Sequence, residues 1–373
     1  MKSERNIQIR ELDNSYNQLI LEIIRRSPIE TNSLEMFFDR SPDVFLSNKL
    51  WSDRFQYYGI FLDNELAGFG MHLKYRGYIR GKICDISYGG NYCIDKKFRK
   101  LGLFRELTEH MLKELYRDTS YAFCLILKDN LPAQKYFRKH KYHLKSMPAY
   151  KLAGSYETRN ILIAGKRKQT LKSQVRKAEA GDYKLISRLL EQEYSTRLLA
   201  PETNEELFCM KLKERPGLDI HNYYMAFRDG HLVGISAAWD TGSFKRTRIT
   251  RYKKIFFWIR LFYNLFSRLF GYPVLPESGE ALREVYLTDT VIVDRDPEVM
   301  KDLIDTIYDE YRKRNYNLIY FGSFQGDPLL KAVRSFISIP LYGNIYFSAR
   351  DEMFLKNESE KFHMPLIDIS LIG

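Results

Sequence analysis

The 373-residue sequence predicts an α/β protein built from two similar halves in tandem. Three observations support this fold class. The element order β-α-β-β-β-α-β occurs once in each half. Each half has a hairpin turn signal between two apolar runs, at Asp63–Asn64 and at Asp229–Gly230. A basic, polar segment, Gly165–Ser173, lies between the halves, so we predict domains over residues 1–164 and 165–373.

The first half follows this order from its first residues. Ile7–Ile24 is typical of a short strand, a turn and an amphipathic helix, and the hairpin comes next. A long strand then runs over residues 83–95, and apolar residues at helical spacing predict a helix from Leu103 onward. Ser120–Leu127 predicts the last strand of the series.

The second half repeats the series. Ser173–Gln192 again combines a strand, a turn and a helix, and a hairpin follows. Residues 283–294 predict the long strand, residues 297–311 the helix, and Asn317–Ser323 the last strand. Residues 240–283 have no counterpart in the first half and are predicted to be an insertion. A match of the whole series favours duplication over chance.

Composition narrows the class of partner and compartment. The formal net charge of +12 and the pI of about 9.2 suit an anionic partner, which can be a phosphate-containing cofactor, nucleic acid or anionic lipid. The four cysteines show neither CxxC nor zinc-ligand spacing, which predicts free thiols and no metal site. We find neither an apolar signal core at the N-terminus nor an apolar run of about 20 residues, so we expect a cytoplasmic protein.

A basic run leads into the helix at Leu103. Residues 96–107, KKFRKLGLFREL, place five cationic side chains around Gly102. Cations are locally unfavourable at a helix N-terminus unless an anion binds there. A diphosphate would be held by the first-turn amides and by Lys96, Lys97, Arg99 and Lys100, and a glycine would let the backbone approach it. A solvated basic turn before an ordinary surface helix is the alternative.

Two motifs resemble those of the GNAT superfamily of acyl-CoA-dependent N-acyltransferases. Arg99–Phe104, RKLGLF, resembles the R/Q-x-x-G-x-G/A loop, whose amides bind the pyrophosphate of coenzyme A. Asn130–Tyr142, NLPAQKYFRKHKY, resembles the following N-x-x-A-x-x-x-Y-x-K-x-G-F motif, which faces the pantetheine arm. The resemblance covers about residues 7–150. It implies a mixed, mostly antiparallel twisted sheet flanked by helices in the first half, with the second half a diverged GNAT-like copy.

The resemblance implies acetyl-CoA, or another acyl-CoA, as the cofactor. The implied cofactor-binding residues are Tyr92, Cys93, Ile94, Arg99, Lys100, Leu101, Gly102, Leu103, Phe104, Asn130, Ala133 and Tyr136. A backbone N–H within residues 92–94 would stabilise the oxyanion of the reaction. We expect Gly89–Gly90 to form a bulge that separates the fourth and fifth strands, and an ordinary edge irregularity is the alternative.

The acid and base usual in this family are missing from their places. Phe137 stands where many members carry the tyrosine that protonates the departing thiolate, and Lys141 replaces a glycine. Phe104 replaces the last small residue of the loop, and Gly89–Asn91 stands where some members place a carboxylate. The remaining candidate proton carriers are Tyr136, Tyr88, Asp85 and, less strongly, His72. An ordinary packing role is the alternative for each, and water can also take the amine proton.

The second copy lacks the features of a diphosphate site. At the equivalent turn, Val293–Asp302 has no glycine, and Pro297 occupies the first turn of the helix. Asp294, Asp296 and Glu298 would repel a diphosphate there. We therefore expect this copy to leave coenzyme A unbound and either to wall the acceptor pocket or to brace the first domain.

The insertion combines a basic run with an apolar helix. Lys245–Lys254 is rich in cations and leads into Ile255–Phe270, which is nearly all apolar. One interpretation is a helix on an anionic membrane surface, with residues 250–272 in contact and Trp258 toward the lipid. The other is a packing helix buried between the two copies, with the basic run solvated. Nucleic-acid binding is not favoured, because the basic residues form no recognisable motif.

Three functional hypotheses follow. The leading one is a cytoplasmic N-acyltransferase, in the simplest case an acetyltransferase, which acts on a small-molecule or peptide amine bound between the domains. The second is a non-catalytic acyl-CoA-binding sensor, prompted by the missing acid and base. The third is an acyltransferase at the inner membrane surface that acts on a lipid or envelope precursor, prompted by the insertion.

Overall fold

A computed structural model describes most of the chain. The described residues are 6–31, 34–138, 144–146, 149–351, 355 and 364–371. They form eight α-helices and fifteen strands, linked in places by short 3-10 turns.

The first half contains eight of the described strands and four helices. The strands are β1 (Ile7–Leu12), β2 (Ile29–Glu30), β3 (Leu34–Asp39), β4 (Phe55–Leu62), β5 (Glu65–Ile79), β6 (Lys82–Ile94), β7 (Tyr121–Leu127) and β8 (Tyr150–Leu162). The helices are α1 (Asn17–Arg26), α2 (Leu46–Lys49), α3 (Leu103–Leu115) and α4 (Leu131–Arg138). The helix predicted from Leu103 onward begins at that residue, and it buries Leu103, Leu107, Met111 and Leu115.

The second half contains seven described strands and four helices. The strands are β9 (Gln174–Lys177), β10 (Tyr223–Arg228), β11 (His231–Trp239), β12 (Arg246–Tyr252), β13 (Glu284–Ile292), β14 (Leu318–Phe324) and β15 (Ser338–Ala349). The helices are α5 (Tyr183–Ser195), α6 (Glu205–Glu214), α7 (Ile255–Phe270) and α8 (Pro297–Lys313). Asp296 caps α8 by accepting a hydrogen bond from the Glu298 amide at 2.8 Å, and Pro297 is its first residue.

Twelve of the described strands form one continuous sheet. Their order is β1-β4-β5-β6-β7-β15-β8-β14-β13-β11-β10-β9. The neighbours are antiparallel except for two parallel pairs, β6 with β7 and β13 with β14. The predicted fold class, a mixed and mostly antiparallel sheet flanked by helices, is therefore confirmed.

The two halves exchange their last strands. β15, from the second half, pairs with β7 of the first half along Tyr121–Leu127. β8, from the first half, pairs with β14 of the second half and also with β15. The boundary between residues 164 and 165 stays a prediction, because the sheet continues across it through the exchanged strands.

The strand pairing repeats between the halves. Parallel pairing ends at Tyr88 opposite Phe123 in one half and at Tyr286 opposite Tyr320 in the other. The next antiparallel ladder has a register shift at the corresponding place in both halves. Three residues beyond Tyr88 and Tyr286 stand Asn91 (φ 55°) and Asp289 (φ 49°), both left-handed. This residue-by-residue match supports the inferred duplication.

A second, three-stranded sheet joins the halves, in the order β12-β3-β2. β12 belongs to the insertion and carries much of its basic run, and β3 carries acidic residues opposite it. Arg248 lies 2.5 Å from Asp39, and Lys253 lies 3.4 Å from Glu35. Four cations of the basic run are therefore paired with acidic residues of the first half: Arg246, Arg248, Arg251 and Lys253.

Helix α7 turns its apolar side outward. Eleven of its sixteen residues are large apolar side chains with exposed surfaces. The buried side carries Asn264 and Ser267, which are 7% and 2% exposed. The interpretation of α7 as a buried packing helix between the copies is therefore wrong. No helix among the described residues is long and apolar enough to cross a membrane.

Candidate active site

The N-terminus of α3 is open. Gly102 is its N-cap residue, in the left-handed conformation (φ 86°), and it offers no side chain to the first-turn amides. A β-carbon placed on Gly102 would meet no atom within 4 Å. Leu101, Leu103 and Phe104 complete this turn, and Lys100 before it is also left-handed (φ 69°). The amides here have the form of an anion-binding turn.

The basic residues before α3 are not equally available. Lys96 lies 3.5 Å from Glu30, and Lys97 forms an ion pair with Glu65. Such exposed pairs are weak, so an incoming phosphate can compete for both lysines. The Arg99 side chain donates to the Ile94 carbonyl at 3.3 Å.

Lys100 differs from its neighbours, because it is exposed and has no polar partner among the described residues. Of the cations that precede α3, it is therefore the one most free to meet an anion at this turn.

A gap opens between β6 and β7 beside this turn. The two strands pair at Ile86, Ser87 and Tyr88 and then part, as predicted for the fourth and fifth strands. The bulge itself lies one step beyond the predicted Gly89–Gly90, because the register shift falls at Asn91–Tyr92. A β-carbon at Gly90 would collide with the Tyr88 hydroxyl. Gly90 therefore makes room for that tyrosine rather than forming the bulge.

Three aromatic rings cross the gap on the α3 side. The Phe104 ring lies 5.9 Å from the Tyr92 ring and 5.3 Å from the Tyr136 ring, measured between centroids. Phe104 is half-buried. A pantetheine arm entering here must displace this side chain or pass beside it.

Helix α4 is fixed to strands from both halves. Asn130 accepts a hydrogen bond from the Ala133 amide at 3.3 Å, so it acts as a helix cap. The buried Gln134 accepts from the Tyr346 hydroxyl at 2.5 Å, and the Phe137 ring stacks on Tyr346 at 4.1 Å. Phe137 is thus a packing residue. Residues 139–142 of the second motif, including Lys141, lie outside the described residues.

The four candidate proton carriers lie in different surroundings. Tyr136 adjoins Phe104 at the gap. Tyr88 is buried between Trp51 and Phe123, each with ring centroids 5.0 Å away, and burial raises the pKa of its hydroxyl far above the usual range.

Asp85 lies away from the gap, and His72 is paired with Gly89 at the start of the gap but packs against Tyr58. Asp85 forms an exposed ion pair with Arg54 at 2.5 Å and lies six residues before Asn91 on β6, roughly 20 Å away along the strand. His72 packs under α3 with its ring 5.6 Å from that of Tyr58. Burial, followed by the charge of Lys74, lowers the pKa of His72 to about 4. Tyr136 is therefore the candidate best placed to reach a ligand.

Cys93 and Ile94 complete the end of β6. Both are partly buried, and burial raises the pKa of the Cys93 thiol to about 11. All four cysteines are free, as predicted. At this pKa Cys93 is a neutral thiol near pH 7, which suits packing better than nucleophilic attack.

A buried polar cluster on the opposite side of β6 was missed in the sequence. The Arg40 side chain, 3% exposed, donates to Asn91 at 3.0 Å and approaches the Tyr57 hydroxyl at 3.5 Å. Asn48 donates to the same hydroxyl at 2.7 Å. Among the described residues, Arg40 has no carboxylate partner. Only the GGN sequence hinted at Asn91, because the other members come from distant segments.

The corresponding turn of the second half is occupied by its own side chains. Asp296 caps α8 and pairs with Arg228 at 2.6 Å. Arg295 is held by Asp327 and lies 3.0 Å from Glu193. A diphosphate here would have to displace these carboxylates.

The gap between β13 and β14 is filled as well. The C-terminal segment over residues 365–369 enters it, where Thr288 donates to Asp368 at 3.0 Å. The Tyr156 hydroxyl donates to the Ile367 carbonyl at 2.8 Å. A cavity of about 40 Å³ remains, which is room for about three water molecules at most.

Comparison with known proteins relates the segment that carries the first of these two candidate sites to a known family. Residues 18–142, which include the β6–β7 gap, Gly102 and Asn130, match the model of the acetyltransferase (GNAT) family. This part of the chain is a GNAT domain. The match covers 125 of the 373 residues. No curated protein matches the sequence.

Solved structures extend the likeness to nearly the whole chain. N-myristoyltransferase from Saccharomyces cerevisiae with bound myristoyl-CoA aligns with a TM-score of 0.57 and 14% identity, over 94% of this chain and 80% of that one. A probable N-acyltransferase of unknown function from Enterococcus faecalis aligns with a TM-score of 0.50 and 9% identity, over 93% and 73%. At these identities the likeness shows the GNAT-type fold, as predicted.

Metal binding has no evident place in the described part of the chain. There, no three His, Cys, Asp or Glu side chains are grouped to hold an ion. The expectation of a metal-free protein stays a prediction.

Proposed function

We propose that this protein is an N-acyltransferase that moves an acyl group from coenzyme A to an amine acceptor. One observation carries the proposal. The uncapped N-terminus of α3 opens beside a gap between two parallel strands, within the segment that matches the GNAT family. Amides and cations at a helix start suit a diphosphate, and the gap suits the arm that follows it.

The cofactor would bind in three parts. The diphosphate would sit on the amides of residues 102–104, with Lys100 and Arg99 supplying charge. The pantetheine arm would enter the β6–β7 gap beside Ala133 and Tyr136, with the Phe104 ring moved aside. Acetyl-CoA is the simplest donor. Donors with longer acyl groups should be tested beside acetyl-CoA, because the yeast structure of similar fold contains myristoyl-CoA.

The chemistry would use the end of β6. A neutral amine would attack the thioester carbonyl, and a backbone N–H within residues 92–94 would stabilise the oxyanion. These residues have no strand partner on the β7 side among the described strands. The amine proton would leave to water, and Tyr136 or water would protonate the departing thiolate.

The acceptor would bind where the halves meet. Arg40 follows β3 and Lys245 precedes β12, so these two buried basic residues lie at one end of the joining sheet. Arg40 also donates to Asn91 at the β6 bulge. A small-molecule or peptide amine that also carries an anionic group would suit these charges.

Charge reversal at the α3 turn tests the proposal. Release of free thiol from acetyl-CoA and myristoyl-CoA should be measured with a panel of amines, and acylated products identified by mass spectrometry. We expect transfer by the wild type and its loss in Arg99→Glu/Lys100→Glu. Lys184→Glu/Arg188→Glu, which makes the same charge change on exposed positions of α5, should retain it. Retained transfer in the first variant would contradict the proposal.

The sensor hypothesis has a specific observation in its favour. Phe137, which stands in the place of the usual tyrosine, stacks on Tyr346 and has no hydroxyl to protonate a thiolate. Tight binding of acyl-CoA without transfer to any acceptor would favour the sensor over the enzyme. The cytoplasmic location stays a prediction, and the membrane-surface hypothesis depends on the outer side of α7.

A further inference from the structure

We infer that α7 docks this protein flat on an anionic lipid bilayer. The inference concerns an interaction surface and does not rest on acyl transfer. The outer face of α7 is defined here as its eleven exposed apolar residues between Ile255 and Phe270. Six of them are aromatic: Phe256, Phe257, Trp258, Phe262, Phe266 and Phe270.

The outer face is larger than a monomer ordinarily exposes. Trp258 and Phe266 are 56% and 57% exposed, and Leu269 is 71% exposed. The six aromatic residues alone present on the order of 600 Å² at such exposures. The largest apolar patch of a typical monomer is roughly 300–600 Å², so the whole outer face exceeds that range.

The polar side of α7 holds the helix in this orientation. The Arg260 side chain donates to the Pro276 carbonyl at 2.8 Å. Asn264 both donates to the Leu275 carbonyl and accepts from the Leu275 amide, each at 2.8 Å. The returning chain over residues 272–277 therefore binds the polar stripe and leaves the apolar side outward.

The shape of the outer face favours a lipid interface. At 100° per residue, its positions cover an arc of roughly 260° around the helix axis. A protein partner packed on one side of a helix covers a narrower stripe. Immersion in the boundary between headgroups and acyl chains covers all sides except the attached one.

Charge selects an anionic surface. From Arg251 to Pro276 the sequence contains five cationic residues and no Asp or Glu. Lys254 and Arg268 stand near the two ends of α7, are exposed, and have no ion-pair partner among the described residues. Lys254 also precedes the helix N-terminus, where a cation is unfavourable unless an anion is nearby. Anionic headgroups would meet both cations.

The same charges disfavour a second copy as the occupant. In an antiparallel two-fold pair of α7 helices, Lys254 of one copy would face the region of Arg268 of the other. In a parallel pair, each of these cations would face the same residue of the other copy. Either two-fold arrangement brings like charges together around the apolar contact.

Vesicle sedimentation tests the inference. The protein should be mixed with phosphatidylcholine vesicles that contain or lack phosphatidylglycerol. We expect sedimentation with the anionic vesicles, weakened by salt, and a blue shift of Trp258 emission that is absent in Trp258→Phe. Neutralising both end cations in Lys254→Gln/Arg268→Gln should weaken binding roughly 25-fold, at about fivefold per cation.

Matched apolar variants distinguish binding through the outer face of α7 from non-specific hydrophobic adsorption to vesicles. Phe262→Ser/Phe266→Ser should remain folded and lose sedimentation. Leu19→Ser/Leu185→Ser, which removes exposed apolar residues from α1 and α5, should keep it. The inference would be overturned if the wild type stayed in the supernatant with anionic vesicles. It would also be overturned if lipid-free ultracentrifugation showed a dimer that Phe262→Ser/Phe266→Ser dissolves.

Discussion

At the scale of single residues, His72 shows how burial sets the charge of a group near the candidate site. It is 8% exposed, and its Nδ1 atom has no hydrogen-bond partner in the described part of the protein. Tyr58 lies beside it, and the charge of Lys74 adds to burial in lowering its pKa. His72 is therefore neutral near pH 7, and its protonation opposes the folded state.

We predict an acid-sensitive contribution from His72 to stability. Its pKa is about 4 in the folded state against an ordinary 6.5, so the unfolded chain takes the proton first as the pH falls. The contribution is intact above pH 6.5 and is lost as the pH falls toward 4, by about 3 kcal/mol. Urea unfolding of the wild type and His72→Gln over this range measures it.

The control for this prediction is His231→Gln, because His231 is exposed in the second hairpin. His72→Gln should flatten the decline in unfolding free energy between pH 6.5 and 4, whereas His231→Gln should follow the wild type. Identical pH profiles for all three proteins would show that His72 titrates normally.

At the scale of elements, local sequence patterns correctly predicted the turns and helix ends that depend on neighbouring residues. The hairpin turns, the start of α3 and the Asp296 cap of α8 depend on a few adjacent residues, and each lies where the pattern placed it. β3 and α2 were not predicted, because β3 is stabilised by pairing with β12, more than 200 residues away. The sequence predicted a nearly all-apolar helix over Ile255–Phe270, but only the returning chain over residues 272–277 decides which side of it faces outward.

The candidate site also contains some features that depend on neighbouring residues and others that depend on distant segments. The α3 turn and the cap at Asn130 are local features and could be predicted from residue types. The Phe104 bridge and the contact between Arg40 and Asn91 depend on how distant segments pack, so no spacing rule shows them. Sequence alone therefore indicated the α3 side of the candidate site and missed the opposite side.

At the scale of the whole molecule, the exchanged strands tie the halves together. One apolar core cluster contains Leu12 and Phe69 from the first half together with Ile345 and Ile369 from the second. Ile345 on β15 is fully buried within it. Because each half lacks its last strand without the other, neither is expected to be stable alone.

We predict that the two halves unfold in one cooperative step. Trp51 reports on the first half and the fully buried Trp239 on the second. Urea unfolding should be followed by fluorescence in two variants, Trp239→Phe/Trp258→Phe and Trp51→Phe/Trp258→Phe. Circular dichroism should be recorded for both variants, because the substitutions themselves can change stability. In each variant, the fluorescence midpoint should equal the circular-dichroism midpoint. Two separate midpoints by both methods would show that the exchanged strands do not couple the halves.

The central claim is that the α3 turn of the first half, and not the corresponding turn of the second, binds the diphosphate of coenzyme A. Calorimetric titration with acetyl-CoA tests it with Gly102→Glu and Gly230→Glu, two left-handed glycines with open space around them. Both variants carry the same backbone strain and charge, but Gly230 lies in the second hairpin. We predict one acetyl-CoA per chain for the wild type and Gly230→Glu, and binding weaker by roughly tenfold or more for Gly102→Glu. Absence of binding to the wild type, or equal binding by the two variants, would contradict the claim.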